Sequence, residues 1–243
     1  MVRTVMILND NSKPLIFLGS NSALWFISDI CRRHNIKVHG IIDSDYFGNK
    51  AHLDNIPVID SELVFENPTT LQYYQANFNF FLVVNWTGQQ DPIHLRDFEK
   101  RLKFIEMIEK YNLNCISLVD KTSVVHETNI IGKNVLIDSF CCVSAYNTIG
   151  DFTSIYAYAA IGHHNVIGRN CIIQRQSGVH MSNILEENVY VGLSTQVFGD
   201  HLTLKKGTIV HPCLAVNRST KENETVSLAG KDLRRIYPVI QPG

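Results

Sequence analysis

The chain has 243 residues, enough for two ordinary domains, each with a core of its own. Its 22 Lys and Arg against 23 Asp and Glu give a formal charge of -1, which argues against electrostatic capture of nucleic acid or of an anionic membrane. No apolar run approaches the roughly 20 residues of a spanning helix, and MVRTVMILNDNSK lacks the features of a secretory signal, so a cytoplasmic protein with no membrane span is expected.

In chain order, KPLIFLGSNSALWFISDICRRHNIKVHGIIDSD reads as strand, turn, helix, strand, with Gly19 at the first turn and Asp43 closing the second strand. NFNFFLVVNW is a further apolar strand, and DPIHLRDFEKRLKFIEMIEKYN is an amphipathic helix opened by Asp91 and Pro92. These elements predict a small α/β, Rossmann-like domain with parallel pairing over residues 1–114. Such folds bind ligands at the carboxyl ends of their strands, so Gly19, Ser20, Asn21, Asp43 and Asp45 are expected to border any nucleotide pocket. GSNSA has one glycine where a dinucleotide fingerprint has three, which leaves a docking domain without a ligand as the alternative.

From Val119 onward the pattern changes. Stepping by six gives Val119, Val125, Ile131, Ile137, Val143, Ile149, Ile155, Ile161, Ile167, Ile173, Val179, Leu185, Val191 and Val197, every one Val, Ile or Leu. A helix needs apolar spacings of three and four, whereas one inward β-branched residue in six suits short strands separated by turns. Three hexads make one coil of a triangular parallel β-helix, so residues 18 apart should stack. The columns agree with that period. Asn129, Asn147, Asn165 and Asn183 form one; Lys133, Asp151, Arg169 and Glu187 form another that alternates in sign; Gly132, Gly150 and Gly168 form a third, expected at a turn with positive φ. After Val197 the inward series resumes one residue late at Leu204, Val210 and Val216, which predicts an extra turn residue in FGDHLT. The β-helix domain is expected over 115–217, with RSTKENET as a loop leading into a tail over 218–243.

Adjacent histidines, His163 and His164, interrupt this repeat in IGHHNVIG. They follow the inward Ile161 by two and three residues and should lie at an outward turn, and the 18-residue step from Gly162 places His180 one coil away. Clustered imidazoles can hold zinc or act as a general base. The column neighbours Tyr146, Met181 and Ser182 offer no further Cys or carboxylate ligand, so base catalysis without a metal is the expectation. Cys31, Cys115, Cys141, Cys142, Cys171 and Cys213 show no metal-ligand spacing and read as reduced thiols.

A hexapeptide-repeat β-helix behind a small Rossmann-like domain, with AAIGHHNVIG in the middle coils, resembles the left-handed β-helix sugar acyltransferases related to bacterial PglD and NeuD, over about residues 14–230. The resemblance implies a homotrimer that moves acetyl from acetyl-CoA to the amino group of a nucleotide-linked amino sugar, or in some members to a sugar hydroxyl. His163 matches the family's catalytic histidine in I-x-H-x-x-x-I-G and becomes the implied base. His164 stands where the family often has an acid, so either His164 or His180 is left to orient the imidazole. The coenzyme side is expected to include Met181, whose backbone N–H would face the oxyanion, together with Gly199 and Gly230. IIDSD, with Asp43 and Asp45, resembles the segment that members place near the nucleotide base. The chain departs from the pattern at Ile172, where a further histidine is common, at Met181, where residues are small, and at AGKD around Gly230. Two further readings follow: sugar O-acetylation, and a non-catalytic trimeric scaffold that has lost acyl transfer.

Overall fold

The computed structural model of the chain describes residues 13–86 and 92–227. Five strands, β1 (Leu15–Leu18), β2 (Val38–Ile42), β3 (His52–Leu53), β4 (Ile56–Asp60) and β5 (Asn79–Leu82), make the N-terminal sheet in the order β3-β4-β2-β1-β5. Alternate residues of a strand face opposite sides, and β1 shows this directly. Leu15 and Phe17 join a core with helix α1 (Leu24–Arg33), while Ile16 and Leu18 join a second core with α2 (Pro68–Asn77) and α3 (Pro92–Lys110). Both faces of the sheet are therefore covered, as parallel pairing requires.

Two local features lie outside the sequence reading. The β3–β4 pair is an antiparallel hairpin within the otherwise parallel sheet, turned by Asp54 and Asn55 with φ of 48° and 62°. Helix α2 is opened by Asn67, whose Oδ1 accepts the N–H groups of Thr69 and Thr70 at 3.0 and 3.2 Å, with Pro68 at its first position. Asp91, read as the opener of α3, lies outside the described residues.

The C-terminal part winds into three parallel sheets, and register follows the 18-residue step, as in Val143↔Ile161 and Ile149↔Ile167. All 17 inward positions named above form or pack against one continuous core. The late resumption also appears, since Leu185 pairs with Leu204 and Val191 with Val210, nineteen residues on. The ladder does not end near 217. Thr225–Val226 pairs with Ile209–Val210, so RSTKENET closes a shortened coil instead of leaving the helix as a loop.

The asparagine column forms a ladder of a specific kind. Oδ1 of Asn129, Asn147 and Asn165 accepts the backbone N–H of the next asparagine at 2.8, 2.8 and 2.9 Å, and Asn183 accepts from Leu202 at 2.8 Å. Nδ2 of Asn165 meanwhile donates to the Gly162 carbonyl at 3.0 Å, which closes the turn that carries His163 and His164. Asn165 is fully buried. Asn165→Ala should orphan a buried N–H and a buried carbonyl and cost about 2–4 kcal/mol, read as a fall of roughly 5–15 °C in melting temperature by calorimetry. A melting temperature within 2 °C of the parent, on the order of less than 1 kcal/mol, would mean the ladder contributes little.

One column differs from expectation. Gly132, Gly150 and Gly168 do not have positive φ; those angles belong to Asn134, Phe152, Asn170 and Asn188. The glycines are required by close approach, because a Cβ on Gly150 would sit 2.7 Å from Arg169 N and one on Gly168 would sit 2.8 Å from Glu186 C. The charged column alternates in sign without pairing side chain to side chain along its length. Asp151 accepts the Lys133 backbone N–H, Arg169 pairs with Glu109 of α3 at 2.7 Å, and the column pair that forms is Glu187 with Lys206.

One of the three β-helix faces is covered by the N-terminal domain. Leu118, Leu136, Ile172 and Tyr190 point outward from the helix into the same core as Leu15, Ile27, Ile41 and Phe81. Two arginines fasten the joint. Arg33 reaches Asp120 on the first coil, and Arg101 of α3 is fully buried between the domains, donating to the Asn170 side chain at 2.6 Å and to the carbonyls of Val84 and Phe152. Burial works against ionisation of Asp120, but hydrogen bonds from Thr122 and Arg33 outweigh it and hold the carboxyl below its ordinary range.

Candidate active site

Ile161 and Ile167 point into the β-helix, and the four residues between their strands turn the chain from one sheet to the next. His164 takes the left-handed conformation at this turn (φ 59°), as do Tyr146 one coil before and Ser182 one coil after. This corner joins the two faces that the N-terminal domain leaves uncovered. His163 and His164 are exposed on it.

Their Nδ1 atoms lie 2.9 Å apart with the rings edge-on at 87°. At that distance one Nδ1 donates and the other accepts, so the tautomer of each ring is tied to that of the other. If His163 carries its proton on Nδ1, His164 accepts it and the Nε2 of His163 is free to take a proton. The His164 ring rests in turn against Tyr146, with centroids 5.0 Å apart. His180 shares the edge but not the pair. Its ring packs on Phe198 at 4.6 Å, and among the described residues no hydrogen bond or ring contact joins it to the other two. Of the two candidate neighbours, His164 and not His180 lies within hydrogen-bonding distance of His163 among the described residues.

Met181 is the column neighbour of His163 and is exposed. Its N–H makes no hydrogen bond among the described residues, while Ser182 N–H is taken by the His163 carbonyl at 3.0 Å. Among the described residues an N–H without a hydrogen bond recurs at the equivalent positions Ala145 and His163, so it belongs to the corner rather than to one residue. Gly162 lies beneath the His180–Met181 peptide, where an added Cβ would be 3.0 Å from Met181 N. Gly199 follows on the same edge one coil later; its carbonyl accepts from Asn183 at 2.8 Å, and it sits in the turn that holds the extra residue. Gly230 lies outside the described residues. Ile172 is not on this edge at all, being fully buried under the N-terminal domain.

At the carboxyl ends of the N-terminal strands a cavity of about 500 Å³ is lined by Ser20, Asn21 and Asp45, with Lys50, Arg96 and Lys100. Neither Gly19 nor Asp43 lines it. Gly19 has φ of 67° and is packed so closely that a Cβ would meet Val84 at 2.3 Å. Asp43 is fully buried and both its oxygens accept from Lys100 at 2.9 Å, while Asp45 accepts from the same ammonium at 2.6 Å. Burial pushes the Asp43 carboxyl up and the Lys100 contact offsets part of that; Lys100, despite its own burial, is raised by the two carboxylates. Lys100, which the sequence did not single out, is therefore the residue that orders this pocket. A larger cavity of about 960 Å³ runs along α3 between side chains of both signs, away from the histidines. Among the described residues no group of three or more His, Cys, Asp or Glu is arranged to hold a metal ion, and no helix is long and apolar enough to cross a membrane.

No protein-family model matches the chain, and no curated protein matches it in sequence. Solved structures do. A histidine-to-asparagine variant of perosamine N-acetyltransferase from Caulobacter crescentus, in complex with CoA and GDP-perosamine, aligns with a TM-score of 0.74 at 17% identity over 88% of this chain and 93% of that one. WeeI from Acinetobacter baumannii AYE aligns at 0.73 and 17% over 90% and 98%. The acetyltransferase domain of PglB from Neisseria gonorrhoeae, in complex with acetyl coenzyme A, aligns at 0.53 and 14% over 88% and 95%. The chain thus has the fold of these structures, a Rossmann-like domain followed by a left-handed β-helix.

Proposed function

We propose that this chain is an acyltransferase that moves an acetyl group from acetyl-CoA to the amino group of a nucleotide-linked amino sugar. The observation that carries the proposal is the His163–His164 pair, with Nδ1 atoms 2.9 Å apart on an exposed edge of a fold shared with perosamine N-acetyltransferase. His163 Nε2 removes a proton from the acceptor amine as its nitrogen attacks the thioester carbonyl. A C–N bond forms, the C–S bond breaks, and the proton passes from His163 to the departing thiolate. The Met181 N–H, unpaired among the described residues, receives the oxyanion of the intermediate.

The nucleotide cavity belongs to the domain that covers one face of the prism, whereas the histidine edge is the corner opposite that face. An acceptor held by one copy therefore meets the histidine of a neighbour. Exposed apolar side chains on the faces flanking the edge, among them Ile130, Val166 and Ile184, favour such packing, and a homotrimer is the arrangement we propose.

The test is a thermal-shift titration with acetyl-CoA followed by an acceptor panel of UDP-, GDP- and dTDP-linked amino sugars and simple sugar alcohols. Stabilisation of about 2.7 kcal/mol is expected once the ligand is at 100 times its Kd. No shift at millimolar acetyl-CoA would favour a scaffold without acyl transfer, and turnover confined to hydroxyl acceptors would convert the reading to O-acetylation.

A further inference from the structure

Residues in the left-handed conformation recur at the same place in successive coils, and where two of them carry rings the rings meet. Tyr146 (φ 61°) and His164 (φ 59°) do so on the histidine edge, with centroids 5.0 Å apart and planes at 36°. Phe140 and Tyr158 do the same on another corner, at 5.1 Å and 15°. The stack on the histidine edge stops at His164, because the next left-handed residue of its column is Ser182. The His164 imidazole thus rests against the phenol ring and meets His163, and makes no other ring contact or hydrogen bond among the described residues.

We propose that Tyr146 is a positioning residue of the acyl transfer that acts through His164: its ring restricts the His164 imidazole to the orientation in which the two Nδ1 atoms meet. The proposal rests on the acyltransferase reading with His163 as the base. Exposed imidazoles on neighbouring residues are otherwise free to turn into water, and the single hydrogen bond between them must offset the rotamer freedom that both give up. An aromatic contact reduces that freedom for His164 and adds an attraction of its own. Tyr146 is itself held from the coil before. Thr128 Oγ1 accepts the Tyr146 backbone N–H at 2.9 Å and lies 3.0 Å from His126 Nδ1, and the His126 ring stands 6.4 Å from the phenol ring. Asn147 closes the same turn by donating to the Ser144 carbonyl at 2.8 Å. The brace therefore runs along the corner through three successive coils and ends at the base.

The test sets Tyr146→Ala beside Tyr146→Phe, beside His164→Asn alone and combined with Tyr146→Ala, and beside Tyr158→Ala, all in the full-length protein. Tyr158 is the matched control: it is 59% exposed like Tyr146, left-handed like Tyr146 (φ 63°), and stacked on Phe140 instead of a histidine. Tyr146→Ala should lower kcat about fivefold, the worth of one aromatic contact, with the KM for acetyl-CoA unchanged. Phenylalanine should restore the rate, and Tyr158→Ala should turn over like the parent. The double variant should be no slower than His164→Asn, since the phenol ring then has no imidazole to hold. Crystal structures of the parent and of Tyr146→Ala give a readout that needs no turnover: the Nδ1 atoms should be within hydrogen-bonding reach in the first and beyond it in the second. Undiminished kcat in Tyr146→Ala, no rescue by phenylalanine, an equal loss in Tyr158→Ala, a loss that multiplies with that of His164→Asn, or rings paired in both crystal structures or in neither overturns the proposal. A parent that transfers no acetyl group counts against the acyltransferase reading instead, and the two crystal structures then decide whether Tyr146 holds the pair.

Discussion

The His163→Asn variant folds like the parent and loses at least about 100-fold in kcat, the usual worth of a positioned general base. Folding is spared because the imidazole is exposed and its one hydrogen-bonding partner among the described residues is the His164 ring, also exposed. Activity is lost because an amide offers no nitrogen that takes up a proton at neutral pH. The loss should fall on kcat with little change in the KM for acetyl-CoA, since the asparagine leaves the backbone of Met181 and Gly199 in place. His164→Asn is the paired control. It leaves Nε2 of His163 intact and releases only the tautomer and the ring orientation, so its loss should be the smaller of the two. Undiminished turnover in His163→Asn, with circular dichroism and melting temperature as in the parent, would remove His163 from the mechanism.

The β-helix was readable because its signal is repeated in every coil. One inward residue in six is a period that no helix or ordinary strand produces, and a slip of one residue at FGDHLT stands out against it. Asn165 was readable for the same reason, although its second role, tying the Gly162 carbonyl beneath the histidines, needed coordinates. The glycine column misled because two physical causes, positive φ and close approach, select the same residue. The charged column alternates in sign as read, but ladder spacing makes a pair possible without choosing it over partners such as Glu109 on another element. In the N-terminal domain the Asn67–Pro68 start of α2 was present in the sequence and went unread, whereas Lys100 gave no local sign. Its partners Asp43 and Asp45 lie more than 50 residues away, and only the fold brings them together. Which of His164 and His180 lies within hydrogen-bonding reach of His163 was likewise a matter of a few ångströms, which a repeat period does not resolve.

Arg101→Met should produce the largest stability loss of any single change in the joint between the domains, about 3–5 kcal/mol. The guanidinium is fully buried, and its three acceptors, the Asn170 side chain and the carbonyls of Val84 and Phe152, are all neutral. Burial lowers its pKa to about 10, so it stays protonated at neutral pH, and no carboxylate compensates the charge. Methionine removes that buried charge, which is a gain, but leaves three buried oxygens without a donor, and at about 1–3 kcal/mol each the loss prevails. Lysine should not rescue the variant, because one ammonium cannot match a planar fork whose nitrogens reach three separate acceptors. Since Val84 belongs to the N-terminal domain and Phe152 and Asn170 to the β-helix, the bonds fasten one unit to the other. Calorimetry on Arg101→Met should show a drop on the order of 10 °C or the splitting of one transition into two. A single transition at the parent temperature would mean that apolar contacts such as Ile172 and Tyr190 hold the joint without it.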